Sequence, residues 1–362
     1  MICIQAFRFV KTHSDDLICQ RFMKKLLFIP ILIFLFSCDS DQDKAGRFFI
    51  KGNEALNNGQ FDQAVRFYSE ALAIAPNYKE ALNNRGVAYY RDGRFTEAII
   101  DYSNILVQID TTYSDAIRNR ANAYLADGKF EKALDDLNRL QRIYPDSSYV
   151  YFTKGLAHHE LKAYEESIDD FKQALIKGED STEVYINMAN SLFMMGDYDA
   201  AIERLNAAMT INDSEPNIYN TLALIESYKP QPDFGLALDL VNRALKLDAN
   251  NPYYLSNRAF IYLNQNNLDE AESDIRISII GAPKNAWAYR NRGILFYFKE
   301  DFEAAVRNFE LAEGYEQGVP RMYSYWALSL QALQRSSEAC EVISRSPEEM
   351  DFSGPLKSLG CR

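Results

Sequence analysis

A chain of 362 residues would ordinarily divide into two or three globular domains, yet one pattern of small, aromatic and apolar residues returns from near Arg47 to about Arg345, so a single array replaces that division. The net charge of −12, with no run of lysine or arginine in the array, excludes a nucleic-acid-binding surface, which needs a basic stripe to displace counterions. An anionic membrane surface would repel the chain as well.

Residues 1–22 show no helical or strand period. They precede Met23, Lys24, Lys25 and an apolar run from Leu26 to Phe36 that Pro30 interrupts. Such a run is too short to span a bilayer but fits the centre of a secretory signal behind a short basic start. Translation is therefore expected to begin at Met23, which makes residues 1–22 a non-native extension. The run closes on Leu35-Phe36-Ser37-Cys38, which resembles the lipobox of bacterial lipoproteins, where a signal peptidase cuts before a cysteine that carries acyl chains. The resemblance implies a signal peptide over residues 23–37 and lipidation of Cys38. Phe36 departs from the small residue usual at its place, and a plain secretory signal or an uncleaved anchor is the other reading.

Residues 38–44 read as an acidic tether. Acidic residues just after a lipidated cysteine resemble a surface-export signal in some bacterial groups, and an aspartate directly after it resembles a retention signal in others; a solvated linker is the plain alternative. The expected location is the bacterial cell envelope, lipid-anchored, at the outer membrane or surface in preference to the inner membrane. Loss of residues 1–37 removes five basic and two acidic residues and takes the net charge from −12 to −15. Lipid, not charge, then has to hold the chain to a membrane.

Asn83 to Leu106 displays the repeating unit. Gly86 and Tyr89 share one face of a first helix, Asp92-Gly93 ends it, and Phe95, Ala98, Tyr102 and Ile105 share one face of a second. Such a hairpin has no core of its own, so each apolar face waits for the next hairpin to cover it. Small residues mark the first helices at Gly52, Gly86, Ala121, Gly155, Ala189, Ala223, Ala259, Gly293 and Ala327. A second series marks the later helices at Ala64, Ala98, Ala133, Ser167, Ala201, Ala237, Ala271, Ala305 and Ala339, each about twelve residues after its partner. Aromatics follow both series, and Pro76, Pro145 and Pro283 close their repeats.

These residues resemble tetratricopeptide repeats, helix–turn–helix units of about 34 residues with small residues where helices cross. The resemblance implies an all-α, right-handed α-solenoid of about nine repeats over residues 45–353, beginning near Ala45, Lys79, Ser114, Ser148, Thr182, Pro216, Pro252, Ala286 and Pro320. The sixth is irregular: Tyr228-Lys229-Pro230-Gln231-Pro232-Asp233 lengthens its turn, as a partner contact or as a tolerated insertion. Past the last unit, residues 354–362 form a C-terminal tail. Cys340 and Cys361 either join in a disulfide that pins this tail or stay two separate thiols.

Nothing in the array has catalytic spacing, so the chain is read as not an enzyme, with no cofactor and no metal site. Adjacent His158 and His159 point about 100° apart on a helix and do not make a metal-binding pair; one is expected packed and one exposed. What recurs is polar: Asn84, Asn119, Asn187, Asn257 and Asn291 stand two residues before the small residue of their first helices, a file broken by Thr153 and Thr221. First helices line the concave surface in this family, and an amide file there resembles the asparagine ladder of O-linked N-acetylglucosamine transferases, which implies a grip on the backbone of an extended peptide. Hydrogen bonding between neighbouring repeats is the competing use of the same file.

Asn122 and Asn190, with Tyr90, Phe193, Phe260, Trp287, Tyr297 and Phe298, are candidates to add stacking and shape to that groove. Arg85, Arg120, Arg258, Arg292 and Lys154 resemble a carboxylate clamp only in part and read as structural ion pairs. The function expected from all this is a membrane-anchored scaffold that binds an unidentified protein or extended peptide. A cytoplasmic co-chaperone-like adaptor, or a recruiter of a catalytic subunit in envelope assembly, are its rivals.

Overall fold

The computed structural model describes residues 40–346. The expected start at Met23, the signal over residues 23–37, Cys38, and the tail with Cys361 lie outside the described residues. Within them the chain is all-α: eighteen α-helices and no strand. It has two units, one ending at Lys129 and one beginning at Phe130.

The first unit holds α1 (Asp41–Asn57), α2 (Phe61–Ile74), α3 (Lys79–Arg91), α4 (Phe95–Asn104) and α5 (Ser114–Ala126). The second holds α6 (Phe130–Ile143), α7 (Ser148–Glu160), α8 (Tyr164–Ile176), α9 (Thr182–Met194), α10 (Tyr198–Ile211), α11 (Pro216–Tyr228), α12 (Phe234–Leu247), α13 (Pro252–Asn264), α14 (Leu268–Gly281), α15 (Ala286–Phe298), α16 (Phe302–Tyr315), α17 (Met322–Ala332) and α18 (Ser336–Ser344). Between the first and last repeats, every first helix starts on the residue from which its repeat is counted in the sequence.

At the two ends local chemistry moves the start. The Ser40 hydroxyl accepts from the Asp43 amide at 3.1 Å while the Asp43 carboxylate accepts the Ser40 amide at 3.2 Å, a reciprocal cap that begins α1 at Asp41. The acidic stretch expected as tether is thus in part the first helical turn, where carboxylates face the positive end of the helix dipole. In the last repeat Arg321 takes a left-handed φ of 61°, so α17 opens at Met322 and not at Pro320.

Inside a hairpin the fit is between rings and missing side chains. A Cβ placed on Gly52, Gly86, Gly155 or Gly293 would come within 2.5–2.6 Å of the ring of Tyr68, Tyr102, Phe171 or Phe309 respectively. Those four rings are essentially buried. Where the first helix carries alanine instead, at Ala189, Ala223, Ala259 and Ala327, the matching place on the second helix is Leu205, Val241, Ile275 and Ile343. Volume is conserved across the pair, as close packing requires.

Two departures from the period are absorbed locally. The unit after Gly86 has one residue more than its neighbours, taken up by a π-helical turn over Ile105–Ile109. The two extra residues of the sixth repeat lie in the turn after α11, where the Asp233 amide donates to Glu226 O at 3.1 Å and its carboxylate caps α12 through Leu236 N at 2.9 Å. Just before that turn, Tyr228 at the end of α11 stacks on Phe260 at 5.0 Å with 11° between planes.

Candidate functional site

The asparagine file is mostly spent on joining repeats. Asn84 Nδ2 donates to Asn53 Oδ1 at 2.9 Å and Asn119 Nδ2 to Asn83 Oδ1 at 3.0 Å in the first unit. In the second, Asn257 Nδ2 donates to Asn220 Oδ1 at 2.8 Å, and Asn291 Nδ2 to Ser256 O at 2.7 Å. Each bond runs from one first helix to the first helix before it, and Asn291 is fully buried. These four residues stitch the stack, so Asn291 is no contact for a partner and the others have at most half of their amide left over.

Asn187 differs. The residues of α7 that would meet it, Phe152 and Leu156, are apolar, and its Nδ2 turns back to Glu183 O at 2.9 Å. Its Oδ1 is left open to the groove beside it.

That groove belongs wholly to the second unit and has a volume of about 1260 Å³. Helices α9, α11 and α13 form its floor, and the segment entering α15 forms a wall. Of the residues expected to meet a partner, Asn187, Asn190, Asn257 and Trp287 come together there. Asn190 accepts from the Thr221 hydroxyl at 3.2 Å and keeps its Nδ2 for the groove. Sequence reasoning misses Asn217 and Asn220, the carboxylates Glu183, Glu215 and Glu316, the lone cation Lys284, and the exposed ring of Tyr253. Asn220 carried a usable signal, since it stands three residues before its small residue, as Asn83 does.

Other expected contacts sit elsewhere. Phe193 and Phe260 are buried against Tyr228, the first edge-on with centroids 5.7 Å apart and the second stacked at 5.0 Å, and do not face a partner. Beside them lies the guanidinium of fully buried Arg290, 4.5 Å from the Phe260 ring and 5.1 Å from Trp287, donating to Tyr228 Oη at 2.7 Å and to Pro320 O at 2.9 Å. Half-buried Tyr297 packs against Phe298, Phe302 and Tyr325, and Phe298 is exposed. In the first unit Tyr90 is half-buried on Phe95, and Asn122 is half-buried. Cys340 lies on α18; its expected partner is outside the described residues.

The basic series is structural, as expected. Arg85 makes two bonds to Asp101 at 2.8 and 2.7 Å, and Arg258 makes two to Asp274 at 2.7 and 2.9 Å. Arg292 bonds Asn308, Arg120 reaches Ser103 at 3.1 Å, and Lys154 lies 3.7 Å from Asp170. Burial pushes the Asp101 carboxyl up while Arg85 pulls it back down, and that hydrogen bond raises Arg85 further. The histidines are a correction, because neither is exposed: His158 Nδ1 lies 2.7 Å from Asp170, and His159 Nδ1 lies 2.9 Å from Ser191 Oγ, with burial pushing His159 below its usual pKa.

Against known proteins, the tetratricopeptide repeat pattern matches residues 51–113 and 118–182, and a second pattern of that name matches residues 158–225. Over those residues the chain carries tetratricopeptide repeats. It is 27% identical over 188 residues to human tetratricopeptide repeat protein 13, covering 50% of this chain and 21% of that one. It is 30% identical over 87 residues to the heat-shock protein cognate co-chaperone sgt12 of Aspergillus fumigatus, covering 24% of each. The chain thus spans only about a quarter or less of these relatives. The Cut9–Hcn1 hetero-tetramer of the APC/C is similar in fold, with a TM-score of 0.56 and 16% identity over 93% of this chain and 81% of that one. Repeats of this kind form protein-interaction scaffolds.

Proposed function

We propose that the chain is a membrane-tethered, non-catalytic scaffold of the bacterial cell envelope that holds an extended segment of another protein in the groove of its second unit. The observation that carries the binding half is the set of half-used amides at Asn187, Asn190, Asn220 and Asn257, which put both donors and acceptors along one preformed surface. Amides presented in a file satisfy a peptide backbone without reading its sequence, and a preformed groove leaves little to order on binding. The tether rests on the basic start, apolar run and Cys38 of the sequence.

The co-chaperone-like rival draws on the fungal relative, but the basic side chains that a carboxylate clamp would use are occupied within their own hairpins, Arg85 by Asp101 and Arg258 by Asp274. Two measurements test the proposal. Intact-mass analysis of the membrane-extracted protein is expected to show an acylated Cys38, and an unmodified mature chain ends the lipoprotein reading. A pull-down from envelope extract is expected to lose its partner with Asn187→Leu and keep it with Asn84→Leu; equal capture by all three proteins rules out the groove.

A further inference from the structure

The groove is not neutral. Glu183 and Glu316 are exposed carboxylates on its lining with no ion pair among the described residues, and Glu215 spends only Oε1 on capping α11, through Asn217 N at 3.2 Å and Asn217 Nδ2 at 2.8 Å. Lys284 is the single cation among the described residues that line it. Carboxylates along a low-dielectric cleft concentrate their field there, and the excess negative charge of the whole chain adds to it.

A second feature of the floor is independent of charge. Asn220 is nine-tenths buried and Ser256 is almost completely so, yet both line the groove with a donor left over. The Oδ1 of Asn220 is taken by Asn257, leaving its Nδ2; the oxygen atoms of Ser256 are taken by Asn291, leaving the hydroxyl proton. Two such donors fit the carbonyl oxygens of an extended backbone. At the rim the Tyr253 ring, 58% exposed, offers a flat apolar face against which the methylene stem of a long cationic side chain packs while its head stays in reach of carboxylate.

We infer that this groove selects an extended segment bearing lysine or arginine, with backbone carbonyls on Asn220 and Ser256 and cationic heads among Glu183, Glu215 and Glu316. This rests on the groove reading given above and adds the chemistry of the occupant. A second copy of the same acidic chain is the wrong complement, as is a segment with a free acidic terminus.

The probe is a fluorescein-labelled peptide of about ten residues, long enough to run some 30 Å when extended, alternating lysine with alanine; analogues replace every lysine by glutamine or by glutamate. Fluorescence anisotropy with the full chain is expected to rank lysine above glutamine and to show no binding of the glutamate form. The double variant Glu183→Gln/Glu316→Gln is expected to raise the lysine-peptide Kd roughly tenfold, as loss of two exposed ion pairs implies. A double variant with the same charge change on α8, Glu165→Gln/Glu166→Gln, is expected to leave the Kd unchanged. If lysine and glutamine peptides bind alike, the groove reading stands and the cationic selectivity is wrong. If the α8 variant weakens binding as much as the groove variant, the attraction is only to net charge and the inference falls. If no peptide binds, both readings fall.

Discussion

The ring of Phe171 lies where a side chain on Gly155 would be: a Cβ added to Gly155 meets Phe171 Cε1 at 2.6 Å. Ser167 and the helix around it fix the ring, since the Ser167 hydroxyl donates to Gly155 O at 2.8 Å across the same crossing. Gly155→Ala is therefore expected to destabilise the chain by about 1–3 kcal/mol despite the better helix propensity of alanine. Combined with Phe171→Leu, the pairing that Ala189 and Leu205 already use, the loss is expected to be smaller than the sum of the single changes by at least about 1 kcal/mol. Urea unfolding of the four proteins in the cycle measures this, and strict additivity would refute the volume argument.

Arg258 and Asp274 form the same kind of coupled pair in charge. Asp274 is buried and receives both Arg258 bonds, so Arg258→Leu alone strands a carboxylate and is expected to cost about 3–5 kcal/mol. The sixth repeat supplies the remedy, because its equivalent positions hold Leu222 and Leu240. Arg258→Leu/Asp274→Leu is expected to recover most of that loss, within about 1–2 kcal/mol of the parent. Thermal unfolding of the single and double variants decides it.

Where the sequence speaks and where it falls silent follows from what each residue must meet. The small-residue series announces the hairpins because every crossing imposes the same distance, and the helix starts at Lys79 through Ala286 follow from it. The pairing of glycine with an aromatic ring is visible in the letters too, but only by comparing positions sixteen apart on two helices, as Gly155 and Phe171 are. The fate of the asparagines is not visible by spacing alone. Asn257 and Asn187 occupy the same place in their repeats; one finds Asn220 on the preceding first helix and stitches to it, while for the other the corresponding places on the preceding first helix hold apolar Phe152 and Leu156, and its Nδ2 turns back to Glu183 O. Tyr228, the last residue of α11, packs on Phe193 and Phe260, and the spacing of either ring within its own repeat does not announce a partner from another repeat.

The hairpin turns predict a stabilising change. After the first helix of most repeats one residue is left-handed; Gly59, Gly93, Gly128 and Gly196 meet this without strain, while Glu300 and Gln334 hold φ near 60° with a Cβ in place. Left-handed backbone costs a residue with Cβ about 1–2 kcal/mol, part of which glycine gives back as entropy of the unfolded chain. Glu300→Gly is expected to raise stability by about 0.5–1 kcal/mol, read as a higher urea midpoint at unchanged slope.

His159 predicts the acid side of the stability profile. Burial lowers its pKa in the folded chain below the ordinary value of 6.5, so the unfolded chain binds the extra proton first. Stability contributed by the neutral ring is complete above that ordinary value and is lost as pH falls from it toward the depressed value. The slope from this one group cannot exceed about 1.4 kcal/mol per pH unit. His159→Gln keeps a polar group near Ser191 and removes the titration, so its stability below pH 6.5 is expected to fall less steeply than that of the parent, with the two curves parallel above it. Urea titrations across that range give both curves, and identical slopes below the ordinary histidine value would show that His159 takes its proton equally well in the folded chain.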